Sequence, residues 1–192
     1  VEAILTEVRT GKKVVTAFYG HPGVFAHAPH KSIEIAKAEG FHAVMVPGIS
    51  AEDCLIADLG IDPGSNGCHA YEASQFLFYQ HATNKRSDLI LWQIGVVGDE
   101  TLRLLTPAER GLEMLQEKLL QYYPDDHQVT LYEASTFPIM PPRIDTLLLS
   151  NLNKAKVKTI TTLFIPALDK PGLDLAFCTK WGIDTQQLTN EA

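Results

Sequence analysis

The stretch YGHPGVF at residues 19–25 directly follows KVVTAF at 13–18, a short apolar run rich in β-branched residues. This pattern predicts a buried strand that ends in a loop, because Gly and Pro interrupt strands. Gly20 and Gly23 allow the backbone of the loop to approach another group closely. The sequence contains neither GxxxxGK[ST] nor GxGxxG, which argues against nucleotide hydrolysis and against a Rossmann dinucleotide site.

A second loop, PGISA at 47–51, follows another strand-like stretch at 42–46, and the pattern between the two loops predicts a helix over 29–38. These segments form a β-loop-α-β unit. In α/β sheets, ligands bind at the loops that follow the carboxyl ends of strands. The two loops are therefore the candidate ligand site.

Local capping signals predict further helices in this part of the chain. Ser50 has the side chain of an N-cap and Asp53 stands at the position that completes a capping box, so we predict a helix over 51–59 with its end at Gly60. The periodicity of residues 1–9 also fits a helix. We therefore expect the sequence to begin inside an element and to be a fragment or a processed form.

The rest of the chain alternates between strand and helix patterns. This alternation predicts an α/β fold with a parallel or mixed sheet in each half. The polar stretch HATNKRSD at 81–88 predicts a junction between an N-terminal α/β domain, 1–84, and a C-terminal α/β domain, 85–192. The predicted strands are 68–71, 89–97, 129–133 and 160–165, and the predicted helices are 107–122, with Thr106 as N-cap, 143–151 and 173–181.

Charge and cysteine content exclude several classes of protein. The chain has 16 basic and 23 acidic residues and a net charge of −7, which argues against a surface that binds nucleic acid or anionic lipid. No stretch approaches the roughly 20 apolar residues that span a membrane. Three widely spaced cysteines without a CxxC motif indicate neither a disulfide framework nor a zinc cluster. We expect a cytoplasmic protein without a metal site.

The two loops resemble those of the tetrapyrrole (corrin/porphyrin) methylase superfamily, the class III S-adenosylmethionine (SAM) methyltransferases. GHPGVF at 20–25 is similar to the G-D-P-x-x-F loop of that superfamily, and PGISA at 47–51 is similar to its P-G-[VI]-[ST]-[AS] loop. The resemblance narrows to borosin-type peptide backbone α-N-methyltransferases, because YGHPGVF, EGFHAVMVPGISAEDC, LGIDPGSNGC and YEAS follow one another in the order of that group. This similarity extends from about residue 12 to 182.

The resemblance implies an enzyme with two α/β subdomains and a cofactor cleft between them. The activity implied is a SAM-dependent transfer of methyl groups to backbone amides of a peptide supplied as a separate chain. The first strand and Gly-rich loop of the superfamily are absent from the sequence, so we expect an incomplete N-terminal subdomain and an inactive fragment. Two alternatives remain open: C-methylation of a tetrapyrrole (porphyrin or corrin), and a catalytically silent binding module with the SAM fold.

The site residues are implied by the same resemblance. His21 stands where the wider superfamily has the Asp of G-D-P, as in the borosin branch. Tyr19 is the candidate catalytic residue. A peptide nitrogen is a poor nucleophile because its lone pair is delocalised into the carbonyl group, and a hydroxyl that donates to the developing oxyanion or relays the proton would help; the alternative role of Tyr19 is aromatic packing. The expected cofactor-binding residues are Tyr19, Gly20, His21, Val24, Phe25, Ser50, Ala51, Ile94, Ser135 and Thr162.

Two further expectations concern assembly and a repeated tetrapeptide. We expect a homodimer, because the superfamily commonly forms one and because exposed apolar side chains favour pairing. The tetrapeptide Tyr-Glu-Ala-Ser occurs twice, with Glu72 and Glu133, and we interpret the repetition as coincidence at two strand ends. The side chains expected to be exposed for dimerisation are Phe18, Val24, Trp92 and Ile94, with Tyr122, Tyr123 and Trp181 adding contact area.

Overall fold

A computed structural model describes residues 1–99, 107–137 and 139–185. The chain divides into two compact units, Val1–Ile61 and Asp62–Ala192.

Three amphipathic segments form the helices of the first unit. In the first unit Arg9 donates from Nε and Nη2 to the Glu39 carboxylate, at 2.9 and 2.6 Å, and so links the ends of two helices. The helices of this unit are α1 (Glu2–Arg9), α2 (His27–Ala38) and α3 (Ala51–Leu59).

The strands predicted at 13–18 and 42–46 are not formed among the described residues. Both segments are irregular, and Val15 is 96% exposed. The physical reason is that a strand exists only through hydrogen bonds to a neighbouring strand, and the described residues of the first unit contain no strand that could pair with either segment. β-Branched composition alone therefore did not produce a strand.

The second unit contains a mixed five-stranded sheet in its described residues. Its strands are β1 (Cys68–Glu72), β2 (Asp88–Trp92), β3 (Gln128–Glu133), β4 (Arg143–Leu148) and β5 (Thr162–Ile165). The strand order is β1-β2-β5-β3-β4. The pair β1–β2 is parallel, and the pairs β2–β5, β3–β5 and β3–β4 are antiparallel. The expectation of an α/β fold with a parallel or mixed sheet is confirmed in this unit.

Four helices and two 3₁₀ segments complete the described part of the second unit. The helix predicted over 107–122 begins only at Gly111, after a turn in which Arg110 has a positive φ of 67°. Its expected N-cap, Thr106, lies outside the described residues. The helices are α4 (Pro63–Asn66), α5 (Ala73–Phe78), α6 (Gly111–Leu119) and α7 (Leu175–Trp181), and the 3₁₀ segments are Ile94–Val96 and Leu149–Lys154.

The helix predicted over 143–151 is wrong. Residues Arg143–Leu148 form the edge strand β4, whose register pairs Arg143 with Glu133 and Leu148 with Gln128. Ile144, Leu147 and Leu148 have helical spacing in sequence, but β3 offers a neighbouring row of backbone donors and acceptors, and tertiary pairing overrides local pattern.

The strand predicted over 89–97 is shorter than expected. β2 ends at Trp92, because Gln93 adopts a left-handed conformation with a φ of 59°. The chain then continues as the 3₁₀ segment Ile94–Val96. Every residue of β2 is buried.

The hydrophobic core of the second unit lies around β2 and its neighbours. Trp92, Ile94 and Tyr123 are buried, so the expectation that they contribute exposed apolar surface is wrong. Among the described residues, no helix combines the length and the apolar character needed to cross a membrane. The core cluster includes Phe76, Leu89, Leu91, Ile94, Leu115, Leu119, Leu131 and Leu163.

A lysine closes the C-terminal end of α5. The Lys118 ammonium donates to the carbonyl oxygens of Phe76 at 2.5 Å, Leu77 at 3.0 Å and Tyr79 at 2.8 Å. It also lies 5.0 Å from the centroid of the Phe76 ring. Helix ends leave carbonyl groups without intrahelical partners, and a cation favours such an end. Lys118 in α6 therefore ties α5 to the core.

The domain division between residues 84 and 85 stays a prediction about the whole protein. In this chain β1, which precedes residue 84, pairs with β2, which follows it. The sheet of the second unit therefore includes residues from both sides of that division.

Candidate functional site

The two glycine-containing loops of the first unit meet backbone to backbone. A Cβ atom added at Gly48 would lie 3.1 Å from the carbonyl oxygen of Gly20 and 3.4 Å from Cα of His21. A Cβ atom added at Gly20, whose φ is +71°, would lie 3.6 Å from the carbonyl oxygen of Ile49. Glycine permits both the left-handed turn and the close approach. The loops YGHPGVF and PGISA therefore contact each other in the structure.

Two histidines hold the first loop through the backbone of Gly23. The Gly23 N–H donates to Nδ1 of His21 at 2.9 Å, and Nε2 of His30, in α2, donates to the carbonyl oxygen of Gly23 at 2.9 Å. A Cβ atom added at Gly23 would lie 2.8 Å from Sδ of Met45. The imidazole of His21 therefore shapes the loop from within.

Ser50 caps α3, as the sequence predicts. Its Oγ donates to Oδ2 of Asp53 at 2.7 Å and accepts from the N–H groups of Glu52 and Asp53. The Ser50 N–H also donates to Oδ2 of Asp53 at 2.7 Å, which completes the capping box. The hydrogen bonds from the Ser50 side chain and backbone lower the pKa of the Asp53 carboxyl. The Ser50 hydroxyl proton is thus committed to the cap, so the serine holds the loop next to the helix start.

Several large side chains stand exposed around this pair of loops. Tyr19 is 88% exposed, and the choice between its catalytic and packing roles stays a prediction. Phe25 is exposed and has a positive φ of 50°, a conformation uncommon for a residue with a side chain. Val24 and Ile49 are exposed as well, and Ala51 begins α3 beside them in sequence. Apolar and hydroxyl-bearing groups thus surround a constrained backbone.

The remaining three expected residues lie in the second unit, at one end of its sheet. Ile94 follows the carboxyl end of β2, and its N–H donates to the carbonyl oxygen of Thr161 at 3.0 Å. Thr162 begins β5, where it pairs with Tyr132 of β3. Ser135 follows β3, and its Oγ donates to the carbonyl oxygen of Phe137 at 2.6 Å. Because β5 is antiparallel to both β2 and β3, the carboxyl ends of β2 and β3 lie at the same end of the sheet as the start of β5.

Burial separates these three residues from one another. The Ile94 side chain is 0% exposed and belongs to the core, and Thr162 is buried too. Ser135 is exposed. At this end of the sheet, the Ile94 side chain therefore provides no exposed surface, and only the backbone of Ile94 lies there. Its contact with the cofactor stays a prediction.

Sequence reasoning missed an ionic cluster at the same end of the sheet. Glu133 is 5% exposed and accepts from Arg143 at 2.6 Å, Lys158 at 2.8 Å and Thr161 at 2.7 Å. Burial alone would raise the pKa of the Glu133 carboxyl, but these three donors outweigh it and the pKa is lowered. Glu133 ends β3 and Glu72 ends β1, so both repeats of Tyr-Glu-Ala-Ser do fall at strand ends. Only the structure reveals the partners of Glu133.

Most of the chain matches one protein-family model. Residues 1–139 match the model of the tetrapyrrole (corrin/porphyrin) methylases. This match includes both loops of the first unit and the sheet through β3.

Curated relatives are similar over most of the chain. A methyltransferase/ribosomally synthesized cyclic peptide gymnopeptides precursor of Gymnopus fusipes is 43% identical over 180 residues, which cover 91% of this chain and 43% of the relative. The omphalotin A precursor methyltransferase of Omphalotus olearius is 40% identical over 169 residues, which cover 86% of this chain and 40% of the relative. The chain thus spans less than half the length of these relatives.

Solved structures share the fold at low identity. A cobalt precorrin-4 methyltransferase of cobalamin biosynthesis matches with a TM-score of 0.63 and 16% identity, over 88% of this chain and 70% of the other. The uroporphyrin-III C-methyltransferase of Thermus thermophilus, solved with S-adenosyl homocysteine, matches with a TM-score of 0.59 and 15% identity, over 86% of this chain and 68% of the other. Together with the family match over residues 1–139 and the loop geometry, these findings establish that the chain belongs to the tetrapyrrole methylase family.

Proposed function

We propose that the protein transfers methyl groups from SAM to backbone amides of a peptide. The observation that carries this proposal is the backbone contact between Gly20 and Gly48, which joins the two loops that resemble the cofactor loops of the family. Identities of 40% and 43% to methyltransferase/peptide precursors favour a peptide over a tetrapyrrole substrate, since the two solved corrin and porphyrin methyltransferases described above share only 16% and 15% identity with the chain. His21 in place of Asp favours the same choice.

The residues around the loops suit the cofactor. Gly20 and His21 would offer backbone groups to the polar methionine and ribose parts, and the exposed Val24 and Phe25 would offer apolar surface. Ser50 and Ala51 would contribute from the start of α3. When bound, SAM supplies a methyl group on a sulfonium centre that is open to in-line displacement.

Tyr19 is the proposed catalytic residue. Its exposed hydroxyl stands directly before Gly20 in the first loop. Hydrogen bonding from that hydroxyl to the amide oxygen would favour the imidate-like form of the peptide, in which the nitrogen lone pair is available. The same hydroxyl could accept or relay the amide proton.

The experiment is calorimetric titration of the full-length natural protein with S-adenosylhomocysteine, followed by mass spectrometry after incubation with SAM. We expect one site per chain and mass increments of one methylene unit on peptide backbone nitrogens, read either on the protein's own polypeptide or on an added precursor peptide. A matched incubation with uroporphyrinogen and labelled cofactor is the control. Absence of binding, or label that enters only the tetrapyrrole, would overturn the proposal.

The choice between a separate and a fused peptide stays a prediction. From the sequence we expect the peptide to be a separate chain. The printed names of the relatives combine the methyltransferase and the peptide precursor in one protein. The mass-spectrometric location of the methyl groups in the full-length protein decides between these two arrangements.

We also propose a homodimer, which uses apolar surface other than the buried Trp92 and Ile94. Leu175, Phe177 and Trp181 of α7 are exposed, Trp181 to 84%, and a second copy would cover them. Light scattering at micromolar concentration should give twice the 21.2 kDa of one chain. A mass of 21.2 kDa at that concentration would contradict the dimer.

The proposed compartment is the cytoplasm. Cys54, Cys68 and Cys178 form no disulfide bonds in the structure. A reducing compartment keeps cysteines in the thiol form.

A further inference from the structure

Glu133 is a buried carboxylate with donors from separate parts of the chain. Arg143 comes from the neighbouring strand β4, whereas Lys158 and Thr161 come from the segment before β5. Arg143 is itself fixed further, since Nη2 donates to the carbonyl oxygen of Lys156 at 2.9 Å. Burial of a carboxylate without hydrogen-bond donors costs free energy, because the charge loses its hydration. The segment 156–161 is therefore held to the end of β3 by charge-assisted hydrogen bonds, which are stronger than neutral ones.

The segment held by Glu133 forms a turn with its own internal hydrogen bonds. The Lys158 N–H donates to Oγ1 of Thr161 at 2.7 Å, and the Thr161 N–H donates to the carbonyl oxygen of Lys158 at 2.9 Å. Thr161 therefore uses its hydroxyl twice, as acceptor within the turn and as donor to Glu133. This arrangement makes the shape of the turn depend on the carboxylate.

The same turn holds the end of β2. Its Thr161 carbonyl accepts from the N–H of Ile94 at 3.0 Å. Its Lys158 carbonyl lies so close to Gly95 that a Cβ atom there would be 1.7 Å from the carbonyl oxygen. Displacement of the turn would therefore move the backbone at Ile94 and the start of β5 at Thr162, two of the residues expected to contact the cofactor.

We propose that Glu133 is a positioning residue of the cofactor site. Its carboxylate holds the turn 158–161 across Gly95. The turn then fixes the backbone at Ile94 and Thr162. The effect of Glu133 on cofactor binding rests on the proposed function. The hold of Glu133 on the turn can be measured without any cofactor.

The test compares Glu133→Gln with Asp145→Asn in the full-length protein. Glutamine keeps the size of the side chain and removes the charge that two cations share. Asp145 also accepts from Arg143, at 2.6 Å, but is exposed, so Asp145→Asn removes a surface partner of the same arginine. Two readouts apply to each variant: amide hydrogen exchange at Ile94 and Thr161, with Leu91 in the centre of β2 as the internal reference, and titration with S-adenosylhomocysteine.

We expect Glu133→Gln to lower the protection of the Ile94 and Thr161 amides at least tenfold, to leave Leu91 within twofold, and to weaken S-adenosylhomocysteine binding at least tenfold. Asp145→Asn should change every value by less than twofold. Unchanged protection at Ile94 and Thr161 in Glu133→Gln would overturn the hold on the turn. Lost protection with unchanged affinity would overturn the link to the cofactor.

Failure of the proposed function has a different signature. If the full-length protein without substitutions does not bind S-adenosylhomocysteine, the proposed function is wrong, and so is the cofactor role of Glu133. The exchange of the Ile94 and Thr161 amides then still decides whether Glu133 holds the turn.

Discussion

Replacement of Gly95 by alanine is expected to destabilise the second unit by about 3 kcal/mol, the upper end of the usual cost of overpacking. The added Cβ would lie 1.7 Å from the carbonyl oxygen of Lys158 and 2.8 Å from the N–H nitrogen of Thr159. Both neighbours are backbone atoms, so no side-chain rotation relieves the clash. Urea unfolding followed by circular dichroism would measure the change in the free energy of unfolding.

Gly172→Ala is the matched control for Gly95→Ala. A Cβ atom added at Gly172 meets no atom within 4 Å, so we expect a change within about 0.5 kcal/mol, as for most surface substitutions. If Gly95→Ala unfolds at the same urea concentration as Gly172→Ala, the close packing of the Lys158 turn on Gly95 is wrong.

Tyr19→Phe in the full-length protein is expected to lower the rate of methyl transfer by roughly 10²–10⁴-fold, the usual contribution of a positioned proton donor or acceptor. The phenyl ring keeps any contact with the cofactor, so the affinity for S-adenosylhomocysteine should change less than twofold. Single-turnover methylation, measured by mass spectrometry, and calorimetry give the two values.

Tyr79→Phe provides the control for Tyr19→Phe. Tyr79 is an exposed tyrosine at the end of α5, and its carbonyl, which accepts from Lys118, is unaffected by the substitution. The rate of methyl transfer by Tyr79→Phe should stay within twofold of the rate of the protein without substitutions. A Tyr19→Phe variant that is equally fast would remove Tyr19 from catalysis and leave it a role in binding alone.

Local signals predicted the parts of the fold that local interactions determine. Helix α3 runs over Ala51–Leu59, the range that the sequence predicts, because Ser50, Asp53 and Gly60 form its caps from neighbouring residues. The sequence also indicated that the backbone of the first loop approaches another group closely, and the structure shows that Gly20 meets Gly48 of the second loop.

Pairing between distant segments explains the errors. The strand signals at 13–18 and 42–46 produce no strand, since the described residues of the first unit provide none to pair with. The apolar spacing at 143–151 fits a helix, yet β3 turns Arg143–Leu148 into an edge strand. A single sequence does not indicate which segment will become a neighbour.

The Glu133 cluster was beyond local reasoning for the same cause. Its donors are 10, 25 and 28 residues away in sequence. The repeated tetrapeptide marked Glu133, but only the fold brings Arg143, Lys158 and Thr161 to its carboxylate. Gly95 did carry a signal, since a glycine inside the strand predicted over 89–97 indicates close approach of another backbone.

The hydrogen bonds of Lys118 also impose an order on assembly. The carbonyl groups of α5 that accept from Lys118 are synthesised 39 to 42 residues before the lysine itself. A helix of six residues is too short to persist alone in water. The helix in the crossover between β1 and β2 therefore gains these three hydrogen bonds only after Lys118 has been added to the chain. A nascent chain that ends before Lys118 contains both strands of this crossover but lacks the group that caps the helix between them.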